Sequence, residues 1–250
     1  MKVSLISVTY NSEKYIRSCI ESVIAQSYKD VEYIIVDGAS TDSTIQIVES
    51  YGAAINHIIS EPDKGIYDAI NKGIKVASGD VIGILNSDDF LSNQHVLKQI
   101  ADEFIKNKNL DAIYADVAFV ERTNGEKVLR YYSSQKFRPW MFRFGFQPAH
   151  PTFYAKKSVF EKFGLYRIDM KIAGDFELLA RFISRNKIRV KYIKQQFVNM
   201  RIGGVSTSGL KSVVLLNSEI INALKINKIY TNKVFVYSKY LFKWWGYVFK

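Results

Sequence analysis

Asp88 and Asp89 stand side by side just after an apolar run, Val81-Ile82-Gly83-Ile84-Leu85. Adjacent carboxylates repel, and a hard divalent cation shared with a ligand phosphate relieves that repulsion. A polar turn in which an aspartate caps the next helix accounts equally for Ser87-Asp88-Asp89. A second candidate is Asp37-Gly38-Ala39-Ser40-Thr41-Asp42, where Gly38 permits close backbone approach and Asp37 is placed to accept from a base or ribose. Neither G-x-G-x-x-G nor G-x-x-x-x-G-K-[ST] occurs, so no dinucleotide fingerprint or phosphate loop is present. A third is Asp175, beside Gly174 at the expected start of a helix, where a cap and a general base read alike. Glu177 points about 200° around that helix from Asp175 and is the reserve candidate.

The first half of the chain supplies a scaffold for the first two candidates. Short β-branched runs at 3–10, 31–36, 55–60 and 80–85 alternate with helical patterns. The first helix places Ile16, Ile20, Val23 and Ile24 on one face, with Asn11 or Ser12 as its cap. The second carries Ile45, Val48 and Tyr51, and the third Ile66, Ile70 and Ile74. This βαβ alternation predicts a mostly parallel sheet covered by helices. Ligands of such sheets bind beyond the carboxyl ends of the strands. Thr9-Tyr10-Asn11, Asp37-Gly38, Glu61 to Gly65 and Ser87-Asp88-Asp89 all fall there. In the second half, Thr123-Asn124-Gly125 marks a hairpin between 112–121 and 127–132, and 174–184 reads as a helix with Phe176, Leu179 and Ile183 on one side.

The chain has 250 residues, 48% hydrophobic and 24% charged, which excludes a disordered or fibrous protein. A single cysteine, Cys19, excludes an internal disulfide and a cysteine-rich zinc site, and His57, His95 and His150 form no spaced metal motif. The N-terminal apolar run is a strand rather than a signal peptide, and no uncharged apolar stretch reaches the ~18 residues of a spanning helix. A cytoplasmic protein is expected. Charge is uneven: residues 1–125 carry net −7 and residues 126–250 net +18, within a total of +11. The basic half therefore faces something anionic.

Taken together, five segments resemble the inverting glycosyltransferases of family 2, which have the GT-A fold. They are Ser7-Val8-Thr9-Tyr10-Asn11, Ile34 through Asp42, Ser60-Glu61-Pro62-Asp63-Lys64-Gly65-Ile66-Tyr67-Asp68-Ala69-Ile70-Asn71-Lys72-Gly73, Ala77-Ser78-Gly79-Asp80 and Leu85-Asn86-Ser87-Asp88-Asp89. The third resembles the subgroup that builds bacterial surface polysaccharides, the colanic acid type included. The resemblance implies an α/β fold with a mostly parallel central sheet flanked by helices, a small antiparallel part and a C-terminal helical tail. It implies one GT-A domain over 1–226, with a nucleotide-sugar half (1–120) and an acceptor half (121–226), followed by an aromatic and basic tail (227–250).

Carried onto these positions, the resemblance makes Thr9, Asn11, Asp37, Asp63 and Asp88 the nucleotide site. Asp89, with Asp88 beside it, would ligate a divalent cation, Mn or Mg, on the diphosphate of a nucleotide sugar, most commonly a UDP-sugar. Asn86 departs from the family's Asp-x-Asp-Asp, and Gly174 departs from its Glu-Asp pair, leaving Asp175 to match the catalytic base. Inversion needs in-line attack by an acceptor hydroxyl, so the base must lie across the sugar from the metal ligands. His150, within Gln147-Pro148-Ala149-His150-Pro151-Thr152-Phe153, is expected to contact the acceptor or diphosphate, or to be structural. Gly204 and Ser206, within Arg201-Ile202-Gly203-Gly204-Val205-Ser206, are expected near the leaving diphosphate, although an ordinary turn reads the same.

Residues 229–250 hold nine aromatics and four lysines without an acid, which suits a helix lying in an anionic bilayer's headgroup region; packing on the domain or on a twin subunit is the other reading. The expected function is metal-dependent inverting transfer from a nucleotide sugar to a glycan, lipid-linked, at the inner face of the plasma membrane. A sugar nucleotidyltransferase would need a glycine-rich basic loop where Thr9-Tyr10-Asn11-Ser12-Glu13 stands. A non-catalytic sugar-nucleotide binder remains compatible with Gly174 and Asn86. Nucleic acid is not an expected partner, since the basic half carries no recognised binding signature.

Overall fold

The computed structural model describes residues 1–123, 125–203 and 209–248. Strand β1 (Val3–Thr9) lies between β2 (Val31–Asp37) and β4 (Val81–Ile84), with β3 (His57–Ser60) outside β2, all parallel. The sheet continues through β8 (Tyr154–Lys156), β6 (Ala112–Val120), β9 (Val190–Arg201) and β5 (Phe90–Leu91), while β7 (Val128–Tyr132) pairs with β6. Here β8 runs antiparallel to β4 and β6, β7 antiparallel to β6, and β5 antiparallel to β9. The expected mostly parallel sheet with a small antiparallel part is the one observed. The 112–132 hairpin also forms, with Tyr132 opposite Val117, while Asn124 lies outside the described residues.

Successive strand residues point to opposite faces, and both faces are apolar because helices cover both. Ile6, Val8, Ile34 and Val36 join one core with Tyr67, Ile70 and Ile74 of α3 (Ile66–Val76). Val3, Leu5, Tyr33 and Ile35 join the other with Ile16, Cys19, Ile20 and Val23 of α1 (Ile16–Ile24) and with α4 (Val96–Lys106). Two inward positions differ from the sequence expectation. Ile24 is exposed while Cys19 packs inward, and Ile66 is exposed while Tyr67 packs inward. Nor does Asn11 or Ser12 cap α1 with its side chain; Asn11 adopts φ +48° and turns its Oδ1 to the Thr41 N–H at 2.9 Å.

The register fixes where the loops go. Thr9 lies opposite Asp37, and Asp37 opposite Ser60, so β1, β2 and β3 end in line. Leu85 and Ser87 continue along β1 by donating to the Ile6 and Val8 carbonyls. Because β8 is antiparallel to β4, with Tyr154 opposite Gly83, the turn at His150–Thr152 that precedes it also reaches this edge.

Helix α6 (Gly174–Leu179) buries Phe176 and Leu179 and continues as a π-helical turn over Ala180–Arg185, which buries Ile183. After α2 (Thr44–Glu49) and α5 (Lys157–Phe163), the chain closes with α7 (Leu210–Ile226) and α8 (Lys233–Val248). The beginning of α8 packs on the domain: Phe235 stacks on Phe144 at 4.7 Å and Val236 is fully buried. Lys239, expected to reach a membrane surface, is buried beside Gly145 instead.

Glu32 of β2 ties the opposite edge of the sheet together. Its buried carboxylate accepts from Ser4 Oγ (2.5 Å), Ser78 N–H (2.7 Å) and Ser78 Oγ (2.6 Å) and pairs with Lys2 Nζ at 3.1 Å. Burial opposes ionisation there, yet these bonds outweigh it and pull the carboxyl from 4.5 down to about 2. A depressed folded-state pKa contributes stability above pH 4.5 that is lost as pH falls toward 2. Urea unfolding should therefore show the wild type losing about 2 kcal/mol more than Glu32→Gln between about pH 5 and pH 3. Equal pH slopes for the two proteins would contradict this origin of acid sensitivity.

Candidate functional site

The strand ends gather three groups of polar residues. At β1 and β2, Asp37 is fully buried and accepts from Ser40 N–H (3.0 Å), Ser60 Oγ (2.7 Å) and Ser40 Oγ. Its carboxylate shapes the loop around Gly38 from within. Asn11 joins the same loop, donating its N–H to Ser40 Oγ at 2.8 Å. Asp63 lies against Gly38, where an added Cβ would collide with its Oδ2, and its Oδ1 accepts the Gly65 N–H at 2.7 Å. Thr9 Oγ1 is buried with no hydrogen-bond partner among the described residues. The sequence-expected nucleotide residues Thr9, Asn11, Asp37 and Asp63 thus share one loop cluster.

The second group is Asp88 and Asp89. Asp89 is buried; its Oδ1 accepts the Arg201 N–H at 3.2 Å, while its Oδ2 has no partner among the described residues. Burial, then the charge of Asp88, pushes its carboxyl well above the usual range. Asp88 is raised too, chiefly by burial, with Arg122 and Arg201 working in the opposite direction. Arg201 is itself buried, donating Nη1 to the Asp88 carbonyl at 2.7 Å and lying over the rings of Phe90 (4.7 Å) and Tyr15 (5.3 Å). Two close carboxylates, one with an unpartnered buried oxygen, are a hard donor set that fits Mg²⁺ or Mn²⁺. Among the described residues no cluster of three or more His, Cys, Asp or Glu exists that would hold a metal by itself.

The third group surrounds Asp175 at the start of α6. Its Oδ2 lies 3.0 Å from His150 Nδ1 and accepts Gln147 Nε2 at 2.9 Å; the Tyr67 hydroxyl is 3.4 Å from Oδ1. Burial would raise the Asp175 carboxyl, but the charge of His150 and the bonds from His150, Gln147 and the Phe176 N–H hold it below its ordinary value. Conversely, burial would lower His150, and Asp175 raises it above the ordinary imidazole value. Gly174 has a steric reason: a Cβ there would stand 2.6 Å from the Tyr67 ring. Tyr67 stacks on Tyr166 at 5.7 Å and donates to the Ile172 carbonyl at 2.6 Å, so the family's glutamate position is filled by an aromatic wall.

The reserve residue, Glu177, is engaged elsewhere. It is buried, pairs with Arg181 at 3.0 Å and accepts Asn227 Nδ2 at 2.9 Å. The segment leading into Asp175 is held from α7, where Glu219 accepts the N–H groups of Lys171, Ile172 and Ala173 at 2.8, 2.9 and 2.8 Å. Sequence reasoning had no role for Gln147, Tyr67 or Glu219. Gly204 and Ser206 lie outside the described residues.

The chain matches the family described as Glycosyl transferase family 2 over residues 4–170. It is 25% identical over 193 residues to a PGL/p-HBAD biosynthesis glycosyltransferase of Mycobacterium bovis, covering 76% of this chain and 73% of that protein. Its fold is similar to that of S. aureus TarS residues 1–349 in complex with UDP-GlcNAc (TM-score 0.68, 24% identity), covering 89% of this chain and 67% of that one. It is also similar to the mannosyltransferase PcManGT from Pyrobaculum calidifontis in complex with GDP-Man and Mn²⁺ (TM-score 0.61, 18% identity), covering 88% of this chain and 64% of that one.

Proposed function

The chain belongs to glycosyl transferase family 2, and from that premise we propose that it transfers a sugar, with inversion, from a nucleotide sugar to a glycan hydroxyl. The observation that carries this reading is one sheet edge bearing two chemically different carboxylate sites. Asp88 and Asp89 are destabilised as anions, with one Asp89 oxygen unpartnered among the described residues, whereas Asp175 is bonded and held ionised. The solved neighbours in complex with UDP-GlcNAc and with GDP-Man and Mn²⁺ support a nucleotide-sugar donor.

In this reading Thr9, Asn11, Asp37 and Asp63 form the nucleoside end of the donor site. Asp89 and Asp88 would hold a divalent cation, which supplies charge neutralisation for the departing diphosphate. Arg201 and Arg122 add fixed positive charge beside those acids. The Asp175–His150 pair supplies the general base on the acceptor side, a role worth ~10²–10⁴ in rate. Residues 1–120 form the donor half and 121–226 the acceptor half, with 227–250 as a tail.

We place the acceptor on a lipid carrier, in bacterial surface polysaccharide synthesis of the colanic-acid type, at the cytoplasmic face of the membrane. No helix among the described residues is long and apolar enough to cross a membrane. Val234, Tyr237 and Leu241 instead form an exposed stripe at helical spacing, 76%, 44% and 70% exposed. Exchanging Val234 and Leu241 for serine should reduce sedimentation with anionic vesicles and leave donor binding unchanged. Undiminished sedimentation would remove the membrane role.

The test of the transferase reading is a thermal-shift panel of UDP-GlcNAc, UDP-glucose and GDP-mannose with and without Mn²⁺. At least one donor should stabilise the protein, more so with Mn²⁺. No shift with any of them would count against a donor of this class.

A further inference from the structure

Asp175 is bonded in a way that a lone general base is not. One of its oxygens, Oδ2, already takes both His150 Nδ1 (3.0 Å) and Gln147 Nε2 (2.9 Å). The other faces the Tyr67 hydroxyl at 3.4 Å. Its side chain is 17% exposed, against 36% for His150. An incoming hydroxyl therefore meets the imidazole more readily than the carboxylate. His150 Nε2, the nitrogen away from Asp175, has no hydrogen-bond partner among the described residues.

Resting on the transferase reading above, we propose that His150 and Asp175 act as a dyad in which His150 Nε2 receives the acceptor's proton and Asp175 orients the ring. The Asp175 carboxylate accepts Nδ1–H, which fixes the tautomer with a bare Nε2 lone pair and stabilises the imidazolium once it forms. Gln147 donates to the same oxygen and keeps the carboxylate turned to the ring. The acceptor oxygen forms its bond to the anomeric carbon as the bond from that carbon to the diphosphate oxygen breaks. The diphosphate leaves with the electron pair, and the hydroxyl proton passes to Nε2 and later to solvent.

Proton affinity favours the same division of labour. A base works best with a pKa near the working pH. The carboxyl is held below its ordinary range and the imidazole above its own, the latter with Asp175 facing it directly and Tyr67 and Tyr166 behind the carboxylate.

The test is the pH dependence of donor hydrolysis, with water as acceptor and Mn²⁺ present. The probe is whichever of UDP-GlcNAc, UDP-glucose and GDP-mannose releases nucleotide fastest. The wild-type rate should fall on an acid limb as pH drops through the imidazole's titration, at a pH above the ordinary imidazole range because Asp175 raises it. His150→Gln keeps a donor toward Asp175 without a proton acceptor; it should lose ~10² in rate and lose that limb, with unchanged donor affinity. Nitrogen-correlated NMR of the three histidines should show His150 carrying its proton on Nδ1 at high pH, and Asp175→Asn should lower its pKa. An Asp175→Asn enzyme that is inactive while His150→Gln keeps both rate and limb would overturn the dyad and leave Asp175 as the base. A limb that persists in His150→Gln would not be the imidazole's and would likewise overturn it. If Asp175→Asn were also fully active, the base reading itself would fail.

Discussion

Asp89→Ala should abolish the Mn²⁺-dependent part of donor binding while the chain stays folded. The wild-type side chain keeps one buried oxygen without a protein partner and is raised by burial and by Asp88. Removing it relieves a repulsion at the cost of one bond to the Arg201 N–H, so the ligand-free protein should melt within a few degrees of wild type. Even outer-sphere partners of a metal commonly contribute 10–100-fold, so loss of a direct ligand should weaken Mn²⁺ by ~10² or more. Calorimetric titration of Mn²⁺ into the protein with its nucleotide sugar reads this directly. Asp37→Ala should behave differently, weakening the free nucleotide equally with and without Mn²⁺, because its three bonds shape a loop. An Asp89→Ala protein with wild-type Mn²⁺ dependence would end the metal assignment.

The contrast between Asp89 and Asp175 shows which parts of the site a sequence displays. Asp88 and Asp89 follow a β-branched run, and parallel strands send their following loops to one edge, so that half was legible from local pattern. The Asp175 half was legible at Asp175 and His150, but not in the residues that hold them together. Gln147 lies 28 residues before Asp175, and Tyr67 lies 108 residues before it, and no periodicity connects them. The departure at Gly174 looked like a lost carboxylate, yet the side chain that explains it, Tyr67, comes from another helix. In α1 the inward stripe is Ile16, Cys19, Ile20 and Val23, at i, i+3, i+4 and i+7, and Ile24 falls just outside it, because an apolar residue next to the stripe is indistinguishable from one on it by type alone. In the tail, composition shows lysines among aromatics but does not reveal that Lys239 is buried beside Gly145, next to Val236.

Replacing Asp175 with asparagine tests the reading on which the dyad depends. The amide matches the carboxylate in shape, so Tyr67 and α6 should stay in place and donor affinity should hold. It is neutral, however, and can neither stabilise an imidazolium at His150 nor take a proton itself. The loss should be ~10² or more in turnover, concentrated in the chemical step rather than in binding. Rapid-mixing turnover beside equilibrium donor binding separates the two. Glu177→Gln provides the control on the same helix. Its carboxylate is buried against Arg181 and Asn227, so the cost should appear as lower thermal stability with kcat nearly unchanged. Turnover lost in Glu177→Gln and kept in Asp175→Asn would move the base one face around α6. Both variants fully active would mean that neither acid handles the proton, and the acceptor side of the site would have to be sought on another element.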